Sequence, residues 1–236
     1  MGAAESASNE IIHYLPEYVS ALGMTVHMQT LYMSWLTCII VILIVTIATS
    51  GAKMVPGRLQ AFFEMLFDWL GGLMEDNMGK EGRRVMTPFI ITLFLYIFIA
   101  NEVGLLPQVG GHLIHFTSPT NDINVAFGLS LMVTAVTYLV GISRNGFGHF
   151  GHFVKPYAAF LPLNIVEEIA KPVTMALRLF GNILAGEILL IVLYVLTPWV
   201  IPDVWVLFSL CVGVLQAFIF SMLTIIALAP IFKGGH

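Results

Sequence analysis

The sequence predicts an all-α integral membrane protein with five transmembrane helices and one amphipathic helix at the interface. Three observations carry that expectation. Of 236 residues, 58% are hydrophobic and 10% charged, where soluble domains carry about a quarter charged residues, and the mean hydropathy is +0.91. Apolar segments of about twenty residues, enough to cross a bilayer, recur along the chain. The ten Lys and Arg cluster after alternate segments, as the positive-inside rule requires, except for Lys171 and Arg178.

Residues 1–30 read as an outer N-terminal tail. It contains no Lys or Arg, so no cleavable signal is expected there. Residues 31–236 read as a single membrane domain. Its spans are expected at about 31–50, 88–106, 125–142, 158–200 and 204–229. Between the first two, over about 56–78, Phe62, Phe63, Leu66, Trp69, Leu70 and Leu73 recur at helical spacing with Glu64, Asp68 and Glu75 among them. That pattern predicts an amphipathic helix on the cytoplasmic interface, or equally a connector folded against the bundle.

The fourth segment is too long for one ordinary span. Lys53, Arg58, Lys80, Arg83 and Arg84 follow the first span, Arg144 and Lys155 follow the third, and Lys233 follows the last. One long helix keeps all of these on the cytoplasmic side, with the N-terminus outside and the C-terminus inside. Splitting it would move Lys233 outside. Forty residues at about 1.5 Å each reach about 60 Å, against a hydrocarbon core of about 30 Å. The helix must be steeply tilted, curved, or partly interfacial, and a large curved neighbour would demand that slant.

The chemistry concentrates on this helix. Arg178 lies at its middle, where a guanidinium stays protonated and costs about 3 kcal/mol or more to hold. At about 100° per residue, Glu167, Lys171, Thr174, Asn182 and Ala185 fall within about 40° of Arg178, Glu168 lies on the flank, and Glu187 lies opposite. Glu167 and Glu168 stand on the cytoplasmic side and Glu187 on the outer side. Acids above and below a fixed cation, on different faces, describe two separate polar routes and not one pore. The competing reading is internal pairing, because Glu167 and Glu168 precede Lys171 by four and three residues, a standard ion-pair spacing. Arg178 has no acid at those spacings. On the last span, Ser209 and Gln216 share one face, and two facing helices would bring Gln216 to Arg178. Asp122 and Asn124 open the third span, where capping is the simpler role. No acid at mid-depth answers Arg178, so its anion is expected on a partner.

Other features carry less. Cys38 and Cys211 lie in apolar segments and read as packing residues. His149 and His152 stand in an inner loop without further ligands and read as solvated. His112 and His115, in the outer segment, titrate near neutral pH and are candidates to influence proton uptake. No Gly-rich phosphate loop is present, so no nucleotide site is expected, nor any catalytic residue, cofactor or metal. No internal repeat supports an inverted-repeat transporter.

The segment Leu177-Arg178-Leu-Phe-Gly-Asn182-Ile-Leu-Ala-Gly-Glu187 resembles the a subunit of the membrane sector of F-type ATP synthases, of bacterial or plastid type. So do Leu161-Pro-Leu-Asn-Ile-Val-Glu-Glu168, Ser118-Pro-Thr-Asn-Asp122-Ile-Asn124, Ala100-Asn-Glu-Val-Gly-Leu-Leu-Pro107 and Gln216-Ala-Phe-Ile-Phe-Ser-Met-Leu-Thr224. The resemblance covers most of the chain from Pro56 onward. It implies that the missing anion is a carboxylate of a rotating c-subunit ring, against which the last two helices lie tilted. Arg178 would meet each ring carboxylate with Gln216 beside it. Glu187, with Asp122 and Asn124, would belong to the outer half-channel, and Glu167 and Glu168 to the cytoplasmic one. Some members carry histidine where this chain has Ser209, so a histidine relay is not available there.

The implied function is that of a non-catalytic stator subunit. It would pass protons through two offset half-channels and couple ion flow to ring rotation and ATP synthesis. Expected partners are the c ring, the b subunits of the peripheral stalk and the remaining ATP synthase subunits. The chain itself would sit in the lipid bilayer of a bacterial plasma membrane or plastid thylakoid, and no nucleic-acid partner is expected. Proton and sodium stay open as the ion, although no sodium cage is visible. The rival readings are a secondary transporter binding an anionic substrate at Arg178, and an assembly scaffold, which leaves Arg178 and Glu187 unexplained.

Overall fold

Residues 18–21, 24–49, 57–105, 118–146, 161–196 and 201–233 are described by the computed structural model. Five helices follow one another: α1 Met28–Thr49, α2 Arg58–Val103, α3 Ile123–Asn145, α4 Leu161–Leu196 and α5 Ile201–Lys233. All five are long and apolar enough to cross a membrane. A 3-10 turn, Pro119–Asn121, leads into α3, and a small antiparallel hairpin pairs Tyr18–Ala21 with Met24–His27 ahead of α1. The histidines at 112, 115, 149 and 152 lie outside the described residues.

The long apolar region is one helix. α4 runs 36 residues without interruption through Pro172, or about 54 Å. α5 runs 33 residues, about 50 Å, so both exceed the about 30 Å of a hydrocarbon core.

The core is the seam between α2 and α5. Ile90, Leu93, Phe94 and Ile97 of α2 are buried, as are Ala217, Phe220, Ile225 and Leu228 of α5. Gly213, Ala217 and Ser221, all buried and four residues apart, form a strip of small side chains on α5. Lipid gives no hydrophobic drive for helices to associate, so such strips let two backbones approach and gain dispersion contacts. α1 packs beside α2, and α3 packs against α4, where Ser130 Oγ donates to the Pro172 carbonyl at 2.5 Å. The outward faces stay apolar: Trp35, Leu43, Leu139, Val195 and Leu207 are each more than half exposed, as expected of surfaces that meet lipid or another membrane subunit.

Residues 79–87, expected to connect the interfacial helix to the second span, are helical, so α2 is continuous but for one break. Gly79 has φ 73° and ψ 177°, a region open essentially to glycine alone. Asp68 and Arg83 would be about 22 Å apart along a straight helix, yet Arg83 reaches Asp68 at 3.4 Å and Glu75 at 2.9 Å. The two arms therefore turn toward each other at Gly79. The first arm buries Leu70, Met74 and Met78 and leaves Phe62, Met65 and Trp69 exposed. Trp69 also stacks on Phe218 of α5, with centroids 5.1 Å apart. Of the two expectations for this segment, the connector folded against the bundle describes its buried face. Near the break, Glu81 pairs with Arg144 at the end of α3, and the Arg144 guanidinium sits 4.3 Å from the Phe232 ring centre.

Candidate functional site

The face of α4 turned away from α3 carries the polar stripe. Glu167, Lys171, Thr174, Arg178 and Ala185 are exposed and Asn182 is partly so, while Met175, Ala176 and Leu179 are buried on the other side. Helical phasing explains the division, since residues three or four apart share a face. Arg178 makes no hydrogen bond or ion pair with any described residue. A full charge midway along an apolar helix, on an open face and without a counter-ion among the described residues, is costly to hold in a membrane.

Two polar groups flank it. Toward the start of α4, Lys171 Nζ lies 2.9 Å from Glu168 and 3.7 Å from Glu167. This is the internal pairing that the spacing allowed. Glu168 is also hydrogen-bonded to the side chain of Tyr138 on α3. Thr174 Oγ1 turns back to the carbonyls of Ala170 and Lys171. Lys171 is therefore matched by acids of its own helix, and Arg178 is not.

Toward the other end, Glu187 accepts a hydrogen bond from Asn121 Nδ2 at 2.5 Å. The 3-10 turn places Asn121 there. Asp122 is occupied in capping α3, its Oδ1 accepting from both the backbone and the side-chain nitrogen of Asn124 at 2.9 Å. Asp122 and Asn124 thus bond each other, while the contact to Glu187 is made by the neighbour that sequence reasoning passed over. Ser209 lies near the same level: a methyl group at Gly186 would stand 4.0 Å from its Oγ. Trp205 Nε1 donates to the Gly186 carbonyl at 3.2 Å and ties α5 to α4.

Gln216 is buried on α5. It is 5% exposed, its Nε2 lacks a partner among the described residues, and no hydrogen bond joins it to Arg178. The structure brings together Glu187 and Asn121, Asp122 and Asn124, and Glu167, Glu168 and Lys171. It leaves Arg178 and Gln216 unbonded. Among the described residues no cluster of His, Cys, Asp and Glu could hold a metal. Sequence reasoning also missed Tyr138, a lone hydroxyl on an apolar span, which periodicity alone does not single out.

A family described as ATP synthase A chain matches residues 31–228. The ATP synthase subunit a of Desulforamulus reducens is 40% identical over 219 residues, covering 89% of this chain and 81% of that protein. That of Acidothermus cellulolyticus is 40% identical over 226 residues, covering 93% of this chain and 83% of that protein.

Proposed function

Since this chain belongs to the ATP synthase A chain family and is a multi-pass membrane subunit of ATP synthase, we propose that it forms the stationary half of a proton path whose moving half is a ring of c subunits. One observation carries the reading: Arg178 is exposed midway along α4 with no counter-ion among the described residues, and separate acidic groups lie toward either end.

Protons arrive from outside past Glu187 and neutralise a ring carboxylate, which then travels through lipid. On the cytoplasmic side, near Glu168, the proton leaves, and the bared carboxylate meets Arg178. A fixed guanidinium repels a proton moving straight between the two routes, so protons pass only with the ring. The membrane potential supplies about 2.3 kcal/mol per charge per 100 mV to turn it. The b subunits of the peripheral stalk hold the chain still, with the N-terminus outside and the C-terminus in the cytoplasm.

Cysteine scanning tests this. Ala185→Cys, on the face of Arg178, is expected to form a disulfide with a cysteine placed beside the carboxylate of a small two-helix subunit that co-purifies with the chain. Absence of that cross-link, together with anion transport by the purified chain alone, would replace the proposal with a secondary transporter.

A further inference from the structure

Glu102 has no part in the path above, yet its setting is unlike that of a surface carboxylate. It lies one residue from the end of α2, and its Oε1 is buried without a hydrogen-bond partner among the described residues. That oxygen faces Gly213 of α5, where a methyl group would come within 2.7 Å of it and 3.5 Å from Asn101 Cβ. A side chain at 213 would therefore displace the carboxylate. Gly213 stands four residues from Ser209 and three from Gln216, so the three share a sector of about 60° on α5.

The neighbours of Glu102 continue the polar character in both directions. Asn101, 1% exposed, donates to the Gly213 carbonyl at 3.5 Å and accepts from Thr120 Oγ1 at 3.0 Å. The residue after Thr120 is Asn121, which holds Glu187. One turn along α5 is Gln216, itself buried and with an unpartnered amide nitrogen. Unpaired buried polar atoms are costly, and ionisable groups inside a membrane protein mark ion routes. At this end of the bundle the other acids are Glu187 of α4, Asp122 before α3 and Asp203 in the first turn of α5, while Glu167 and Glu168 stand near the opposite end of α4.

We propose that Glu102 is a second proton-carrying acid at the Glu187 end, relaying protons along α5 from the level of Ser209 toward that of Gln216. An O–H bond forms at Glu102 Oε1 as one breaks on hydronium or on protonated Glu187. In the second transfer that O–H bond breaks as one forms on a water inward of Glu102, which passes a proton on to the ring carboxylate; the Glu102 carboxylate is restored and nothing is oxidised or reduced. The inference rests on the reading of this chain as the stationary half of the proton path.

The test uses the whole ATP synthase in lipid vesicles, with proton flux driven by an imposed potential and the amount of this chain in the complex measured alongside. Glu102→Gln keeps the shape packed against Gly213 but holds no titrating proton. It is expected to cut flux on the order of tenfold, below the usual contribution of a positioned acid–base group because water offers a bypass. Normal flux in a fully assembled Glu102→Gln complex overturns the proposal. If that variant does not assemble, Glu102→Asp decides: a shifted pH profile of flux is expected, and an unshifted one overturns it, since a purely structural role would not move the profile. Glu187→Gln and Arg178→Ala run as controls. Should both conduct and couple normally, the underlying reading fails, whereas failure at Glu102 alone leaves that reading intact.

Discussion

An arginine on a membrane helix carries its charge at every physiological pH, so its energy depends on what faces it. Within this chain no described residue makes a hydrogen bond or ion pair with Arg178. Arg178→Ala is therefore expected to leave the fold of the isolated chain intact and to abolish coupled ATP synthesis. Normal ATP-driven pumping by that variant would sink the proposed role. Gln216 makes the complementary case. An amide buried without a partner costs about 1–3 kcal/mol, so Gln216→Leu is expected to leave thermal stability in micelles unchanged or raised while coupled synthesis falls. A large loss of stability would show that the amide serves packing. At Glu187, where Asn121 fixes the carboxylate, Glu187→Gln is expected to slow proton transfer more than Ser209→Ala does. Equal and negligible effects in reconstituted vesicles would rule out the uptake route.

At the scale of elements, hydropathy and basic residues told the single long α4 from two spans, because charge placement is a property of the linear chain. The break at Gly79 was not legible: a glycine inside an amphipathic pattern has the same appearance whether it continues a helix or turns one. What fixes it is tertiary, namely the reach of Arg83 to Asp68 and Glu75 across the bend. The site divides in the same way. The stripe through Arg178 follows from spacing on one helix, and so does the pairing of Lys171 with its acids. The Asn121–Glu187 bond joins residues 66 apart, and no local pattern encodes it. Gly79→Ala tests the bend. A side chain at φ 73° is expected to cost roughly 1–3 kcal/mol. Gly72→Ala, in open space on the same helix, is expected to be neutral or to stabilise by about 0.5–1 kcal/mol. Equal melting temperatures for the two variants would mean that Gly79 is not the hinge.

For the whole molecule, the decisive property is incompleteness. Its tightest seam, α2 on α5, buries a core of ordinary side chains, whereas α4 keeps much of its surface open and displays there a mid-helix cation with no acid partner among the described residues. A protein that moved a solute by itself would be expected to turn such a charge toward a cavity between its own helices, where substrate and counter-ion meet. Here the charge lies on an exposed face of α4 with no acid partner among the described residues, and lipid cannot neutralise it. The purified chain in vesicles is therefore expected to conduct neither protons nor anions above the lipid background under an imposed potential. Adding a purified carboxylate-bearing ring and the remaining ATP synthase subunits is expected to restore flux, and Arg178→Ala to uncouple that flux from ATP synthesis. Saturable anion uptake by the chain alone, lost in Arg178→Ala, would instead place the binding partner of the guanidinium in solution and overturn the stationary-subunit reading.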